Sequence, residues 1–325
     1  MSPKILVIAN ARARGLATDP SRLASLDRVT RGRAKLAVTE RVSEVGGALD
    51  AFLSAEGALD LLVVAGGDGA SMSAASALAP RIRAGLPPPI VGLLPFGTVG
   101  TVARNFGPRV RGLGAPGDSL ALLERWLEAP DAIRWTERPI VRVREVPAEG
   151  PEIERHGFIF GTGLVARFFE AYEAGGANGI PLAARIVARI FLESFTGGPL
   201  ARRILTPMPA ALEVDGGPHL AGRYSLLCCS VVPDLGLRMR VNYRAGERLD
   251  RLHLVASSLP PTALGPRMPL VMMGRSIGGR DHVDALVEEF SLRFDGEGPY
   301  VLDGDMFRAR EVRVSAGATL RIIGA

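Results

Sequence analysis

The chain has 325 residues, of which 47% are hydrophobic and 22% charged, enough apolar content for a sizeable core in about two domains and too much for a disordered chain. No run approaches the roughly 18 apolar residues of a spanning helix, and Ile5 to Ala9 is followed at once by Asn10, Arg12 and Arg14, which excludes a secretory signal pattern and makes the cytoplasm the expected location. The net charge of +5 fits an anionic partner. Only Lys4 and Lys35 are lysines, so 37 of the 39 basic residues are arginine; aromatics are 6% and do not interleave with basic stretches, so nucleic acid is not expected.

The first third alternates buried-strand and helix signals. Lys4 to Ala9 reads as a strand, Ser21 to Val29 as a helix, Ala34 to Thr39 as a strand, and Glu44 to Ala55 as an amphipathic helix. Leu59 to Ala65 is a third strand, followed by a helix over Ser71 to Leu78 that Pro80 should stop. Ile90 to Leu94 is a fourth strand, and Thr98 to Asn105 opens another helix. Buried strands alternating with helices imply a parallel sheet covered on both faces, with ligands bound beyond the carboxyl ends of the strands.

The pattern changes after Trp135. Ile140 to Val146 and Gly157 to Gly161 read as strands joined through a loop at Pro147 to Pro151, and Arg167 to Ala174 and Leu182 to Phe195 as helices. Short β-like stretches follow at Leu212 to Asp215, Tyr224 to Val232, Leu237 to Tyr243, Leu252 to Ala256, Leu270 to Met273, Ala285 to Phe294, Tyr300 to Leu302 and Glu311 to Val314. This is the pattern of an antiparallel sandwich or barrel. The expected domains are residues 1–135, an α/β lobe, and 136–325, a β-sandwich lobe. Cys228 and Cys229 read as small core residues, and His156, His219, His253 and His282 as isolated, without metal-ligand spacing.

Three segments carry chemistry. Gly66-Gly67-Asp68-Gly69-Ala70-Ser71 delivers a strand to a helix start, where glycines admit a phosphate and the first helical N–H groups attract it. Asp68 is ill suited to touching phosphate directly; it suits holding magnesium or positioning a reacting group. Pro95-Phe96-Gly97-Thr98 repeats the arrangement, with a hydroxyl on Thr98, and the two turns together make one phosphate cradle. Asp303-Gly304-Asp305 places two acids at a strand end, where carboxylates divide metal holding and proton abstraction. Asp295-Gly296-Glu297 is a rival. There is no P-loop lysine pattern, dinucleotide fingerprint or nucleophile elbow, and no serine–histidine constellation is visible.

The order Asn10 to Gly15, Thr39, Gly66-Gly67-Asp68-Gly69, Pro95-Phe96-Gly97-Thr98, Ala103-Arg104-Asn105 and Asp303-Gly304-Asp305 resembles the diacylglycerol kinase catalytic-domain family, which includes bacterial diacylglycerol kinases, a phosphatidylglycerol kinase, and sphingosine and ceramide kinases. Phe158 to Phe168 and Gly179 to Leu192 resemble further family segments. The resemblance implies a nucleotide-binding α/β lobe like those of NAD kinases and phosphofructokinases, followed by a β-sandwich lobe. It implies an ATP-dependent lipid kinase that uses Mg2+, with diacylglycerol as first acceptor and phosphatidic acid as product; ceramide or a sphingoid base, and a non-catalytic nucleotide- or lipid-binding member, stay open beside it. Asn10 and Thr39 would lie on the nucleotide side, Gly66, Gly67, Asp68, Gly69, Ala70, Ser71 and Met72 would form the phosphate loop, and Gly97 and Thr98 would sit at the phosphates. Asp305 would accept the proton, with Asp303 or Asp68 assisting through magnesium. Glu247, ahead of Leu249, falls near a residue that in some bacterial members helps hold magnesium.

The chain departs from the family pattern. Ala70 stands in place of a threonine, with Ser71 able to offer a hydroxyl one position on; Gly100 and Thr101 replace Asn-Asp; Asp305 replaces a glutamate. An apolar face at Ile186, Val187, Ile190 and Phe191, with Arg185 and Arg189 one turn apart, suits peripheral contact with an anionic membrane.

Overall fold

A computed structural model describes residues 3–97, 100–106, 116–147, 149–175, 179–218 and 220–324. It resolves into two compact units, one of Met1–Arg138 with Ala318–Ala325, the other of Pro139–Gly317. The sequence reading gives the closing residues to the second lobe; they belong to the first.

In the first unit, β1 (Ile5–Asn10), β2 (Lys35–Thr39), β3 (Leu61–Gly66) and β4 (Ile90–Pro95) form a parallel sheet in the order β2-β1-β3-β4. The tail joins it beside β4, with Arg321 and Ile322 opposite Ile90 and Val91. The helices are α1 (Arg14–Ala17), α2 (Pro20–Thr30), α3 (Val45–Glu56), α4 (Asp68–Arg83), α5 (Thr101–Phe106) and α6 (Pro116–Glu128). Ile5, Val7 and Ala9 of β1 and Leu61, Val63 and Ala65 of β3 share a core cluster with Leu16, Leu26, Leu123 and Trp126. The alternate residues Leu6, Ile8, Leu62 and Val64 are equally buried, and side chains alternate across a strand, so both faces are covered. A Cβ on Gly92 would meet the Trp126 ring at 2.7 Å, so glycine is what lets α6 lie so close to β4. Pro80 does not end α4, which runs on to Arg83: Arg81 ties the last turn to the Ala77 carbonyl and to Asp50, and Ala74, Ala75, Leu78 and Ala79 are buried.

The second unit is built on β5 (Trp135–Val146), β6 (Ile153–Gly157), β7 (Ile159–Gly163), β8 (Met208–Val214), β9 (Leu220–Tyr224), β10 (Leu226–Ser230), β11 (Leu252–Ser257), β12 (Val283–Val287), β13 (Glu289–Leu302) and β14 (Asp305–Ile323). The strands β12-β11-β10-β7-β13-β14 are antiparallel neighbours, and β5 pairs with β6 and β8 with β9 in the same sense. The strand β13 is shared. Its first half, Phe290–Phe294, pairs with β8; its last residues, Val301 and Leu302, pair with β7; a register shift lies between Arg293 and Gly298. A bulge of this kind lets one strand change partners along its length, and the Phe160 and Phe290 rings meet edge to face at 5.7 Å. The helices α7 (Leu164–Glu173), α8 (Ile180–Ser194), α9 (Pro199–Leu205), α10 (Pro261–Leu264) and α11 (Met268–Met272) accompany the strands. Ile190, Ala201, Ile204, Leu264 and Val271 from four of them pack with Leu226, Cys228 and Val255 in one cluster.

Several expected strands differ here. Leu270 to Met273 is helical as part of α11, with Val271 buried. Leu237 to Tyr243 is a turn: Leu237 and Arg238 have φ of 53° and 61°, which a strand cannot accommodate, and the Asp234 carboxylate accepts the Gly236 N–H at 2.9 Å. Ala285 to Phe294 divides into β12 and β13. Cys228 and Cys229 are both buried and free; burial pushes the Cys228 thiol up to about 12. Among the described residues, no helix is long and apolar enough to cross a membrane.

Candidate functional site

The carboxyl edge of the parallel sheet gathers the turns singled out in the sequence. Asn10 and Thr39 are register partners at the ends of β1 and β2, and Gly66 and Pro95 at the ends of β3 and β4. Asn10 Oδ1 accepts the Arg12 N–H at 3.0 Å, while Thr39 is buried and its carbonyl accepts the Ala11 N–H at 2.8 Å. The Gly66 carbonyl accepts the N–H groups of Phe96 at 2.9 Å and Gly97 at 3.0 Å, stitching the two glycine turns together. A Cβ on Gly97 would lie 2.4 Å from the Gly67 Cα, a contact only glycine permits. A third turn joins them: the Gly15 N–H donates to the Phe96 carbonyl at 2.7 Å.

Gly67 caps α4: its carbonyl accepts the Ala70 and Ser71 N–H groups at 3.1 and 3.2 Å, and the N–H groups of Asp68 and Gly69 ahead of them lie at the positive end of the helix dipole. Asp68 opens that helix, and its carboxylate accepts the N–H groups of Thr101 at 3.0 Å and Val102 at 2.9 Å, capping α5. Burial pushes its carboxyl above the ordinary range; the two N–H bonds and Arg104 oppose this. Asp68 thus positions the second turn. Ala70 is buried, and the Ser71 hydroxyl, offered in the sequence as a substitute for the missing threonine, donates back to the Gly67 carbonyl at 3.3 Å. Gly69 and Met72 follow in the first turn of α4. Thr98 lies outside the described residues, as does His219; Gly97 is described.

In the second unit, Asp303 has φ of 51° and Gly304 of 101°, making a tight turn between β13 and β14. The Asp303 carboxylate accepts the Phe158 N–H at 2.9 Å and the Ile159 N–H at 2.8 Å, and its own N–H donates to the Ile159 carbonyl at 3.0 Å. Gly157 makes room, since a Cβ there would lie 2.6 Å from an Asp303 oxygen. Asp303 is therefore a fastener of this turn, and Asp305 is left exposed at its end, opposite Leu302. Neighbouring protein still withdraws enough water to push the Asp305 carboxyl upward; Arg155 attracts it and Glu173 of α7 repels it. The rival Asp295-Gly296-Glu297 occupies the bulge of β13, with Glu297 3.7 Å from Arg308.

Glu247 pairs with Arg244 at 3.1 Å, and Leu249 is exposed. Among the described residues, no three histidine, cysteine or acidic side chains gather as a metal site. Sequence reasoning missed two groupings. Tyr300, Glu145 and Arg155 form a hydrogen-bonded chain near Asp305, signalled only by charged residues inside the alternating strands β5 and β6. His253 and His282, read as isolated, both reach Asp284, at 2.8 and 3.4 Å, where Ser276 and Tyr243 also donate. The Ser276 hydroxyl and the Asp284 carboxylate meet the same nitrogen of His282, so this is not a nucleophile-activating relay.

Residues 4–129 match the family described as the diacylglycerol kinase catalytic domain. The match falls on the unit that holds the glycine turns. Over the whole length the chain is similar in fold to solved structures from Bacillus anthracis str. Sterne. Two are candidate diacylglycerol kinases, at 15% and 16% identity, each with a TM-score of 0.64; a third is a diacylglycerol kinase at 14% identity with a TM-score of 0.58. Each alignment covers 99% of this chain and 97% of the other. No curated protein matches the sequence.

Proposed function

We propose that the protein transfers the γ-phosphate of ATP to a lipid hydroxyl, with diacylglycerol as the first-choice acceptor and phosphatidic acid as product. The observation that carries this is the pair of glycine turns held together by the Gly66 carbonyl and the Asp68 carboxylate at the start of α4, within the residues that match a kinase-family domain. Phosphoryl transfer needs positioning and charge neutralisation more than covalent chemistry. The turns bring backbone N–H groups to the phosphates, with Asn10 and Thr39 toward the rest of the nucleotide. The lipid hydroxyl attacks in line, and Asp305 takes its proton. A carboxyl raised by partial desolvation is a stronger base than an ordinary aspartate. Magnesium accompanies nucleotide phosphates in such reactions. Among the described residues, no cluster of side chains offers a dedicated cage for it.

The test is labelled ATP with total bacterial lipid, followed by mass spectrometry of the products. A phosphorylated diacylglycerol supports the reading, a phosphorylated ceramide or sphingoid base shifts the acceptor, and a phosphorylated soluble acceptor with no lipid product overturns it. Asp305→Asn should lower turnover about 10²–10⁴-fold, while Glu297→Gln leaves it nearly unchanged; the reverse would move the acid to Glu297. A non-catalytic binding role is favoured by one observation, the inward-turned Ser71 hydroxyl beside Ala70. Turnover on any acceptor removes it.

Membrane contact belongs to the same proposal. In α8, Ile186 and Ile190 pack into the core, which takes them out of the lipid-facing stripe expected from the sequence. Leu192 and Phe195 are 67% and 59% exposed at the end of the helix, with Arg185 on an outward face. Vesicle flotation should rise with anionic lipid and fall with salt; indifference to both removes the membrane claim.

A further inference from the structure

Beside the Asp303–Asp305 turn lies a buried charge arrangement that the proposed reaction has not used. Glu145 of β5 is 4% exposed. One of its oxygens accepts the Tyr300 hydroxyl at 2.6 Å and Arg155 Nε at 2.8 Å. The Arg155 guanidinium carbon lies 4.0 Å from the centroid of the Phe307 ring. Tyr300 and Phe307 are opposed in the β13–β14 ladder, their rings 5.4 Å apart, and Leu302 is opposed to Asp305. Residues two apart on a strand share a face, so Asp305 and Phe307 project to the side over which the guanidinium is spread.

A buried carboxylate paired with a guanidinium adds little net stability over apolar residues of the same volume. Its effect is to fix a cation. Arginine suits this because one planar group can bond to Glu145 and stack on Phe307 together, which an ammonium does less well. We infer that Arg155 is a positioning residue for Asp305, a cation fixed by Glu145 and Tyr300 that offsets the charge on that face while the acceptor hydroxyl reacts. This rests on the reading of Asp305 as proton acceptor. The other charged group acting on Asp305 is Glu173 from α7, and it is repulsive, which leaves Arg155 as the balancing charge.

The experiment measures kcat and the KM for ATP with labelled ATP and diacylglycerol in mixed micelles, beside thermal melting. Arg155→Met should lower kcat roughly ten- to a hundredfold, less than loss of a group that touches the reacting atoms, with the KM for ATP within about twofold of wild type. Arg155→Lys keeps the charge but loses the stacking on Phe307, so it should recover part, not all, of the kcat lost in Arg155→Met. Arg155→Met strands Glu145 and can fail to fold, so the double variant Glu145→Gln/Arg155→Met, which leaves no lone buried charge, should fold and show the same kcat loss. A folded double variant with wild-type kcat overturns the inference, as does Arg155→Lys falling as far as Arg155→Met. Failure of the underlying reading looks different: either the wild-type protein makes no lipid product, or Asp305→Asn keeps full turnover, and in both cases the inference falls with it.

Discussion

The carboxylate of Asp68 receives the N–H of Val102, 34 residues further along the chain, at 2.9 Å, and that of Thr101 beside it. The residue that ends one glycine turn thereby sets the helix that follows the other. Asp68→Ala should abolish phosphoryl transfer and also cost about 1–2 kcal/mol of stability, the range for a lost helix cap. Asp68→Asn keeps one accepting oxygen and should recover part of the melting temperature without the activity. Turnover and melting of the two variants check this; an active Asp68→Ala enzyme would remove Asp68 from the site.

The meeting of Gly67 and Gly97 allows no side chain. Gly97→Ala places a methyl 2.4 Å from a backbone carbon, so one of the turns must move and turnover should be lost. Gly46→Ala, in α3 with nothing within 4 Å of the new methyl, should instead stabilise by roughly 0.5–1 kcal/mol. The paired measurement separates a local steric demand from a general intolerance of substitution.

Asp303 gathers two backbone donors in the left-handed region, where aspartate is tolerated and alanine is not. Asp303→Ala should lower stability by roughly 2–4 kcal/mol, and Asp303→Asn by less. Chemical denaturation measures both. Equal losses would mean that backbone conformation matters little and the negative charge matters most.

Burial lowers the pKa of His253 below its ordinary 6.5, with its bond to Asp284 opposing the shift. The unfolded chain therefore takes up the proton first. The stability held by the neutral ring is fully present above about pH 6.5 and is lost as pH falls through the lower folded value. For Asp284, burial pushes upward, but the bonds from Ser276, His253 and Tyr243 outweigh it and the net shift is downward, so its own contribution is lost only in the acid range below 3.8. Melting between pH 7.5 and 5.5 should fall more steeply in wild type than in His253→Gln. Parallel slopes would show that another group controls that window.

Much of the first unit is legible because its signals are local. Leu61 to Ala65 is a buried run that only a covered central strand accommodates, and the glycines after it permit the sharp entry into α4. The second unit is less legible because its short apolar stretches suit more than one element. Leu270 to Met273 has strand-like composition, yet Pro269 at a helix start and the burial of Val271 in the helical cluster make it part of α11.

The sequence by itself determined the order of buried strands and helices, the parallel sheet of the first unit, and the positions of its glycine turns, since these follow from periodicity and from close backbone approaches that only glycine permits. Only the tertiary structure decided what the carboxylates do. Asp68 looks like a free ligand beside its neighbours, and so does Asp303, until folding brings Val102 to the one and Phe158, 145 residues earlier, to the other. The same holds for His253 and His282 on Asp284, and for the return of Arg321 to β4. A hydrogen-bond partner is fixed by strand register and by burial, which removes competing water, and neither quantity exists until distant parts of the chain have packed.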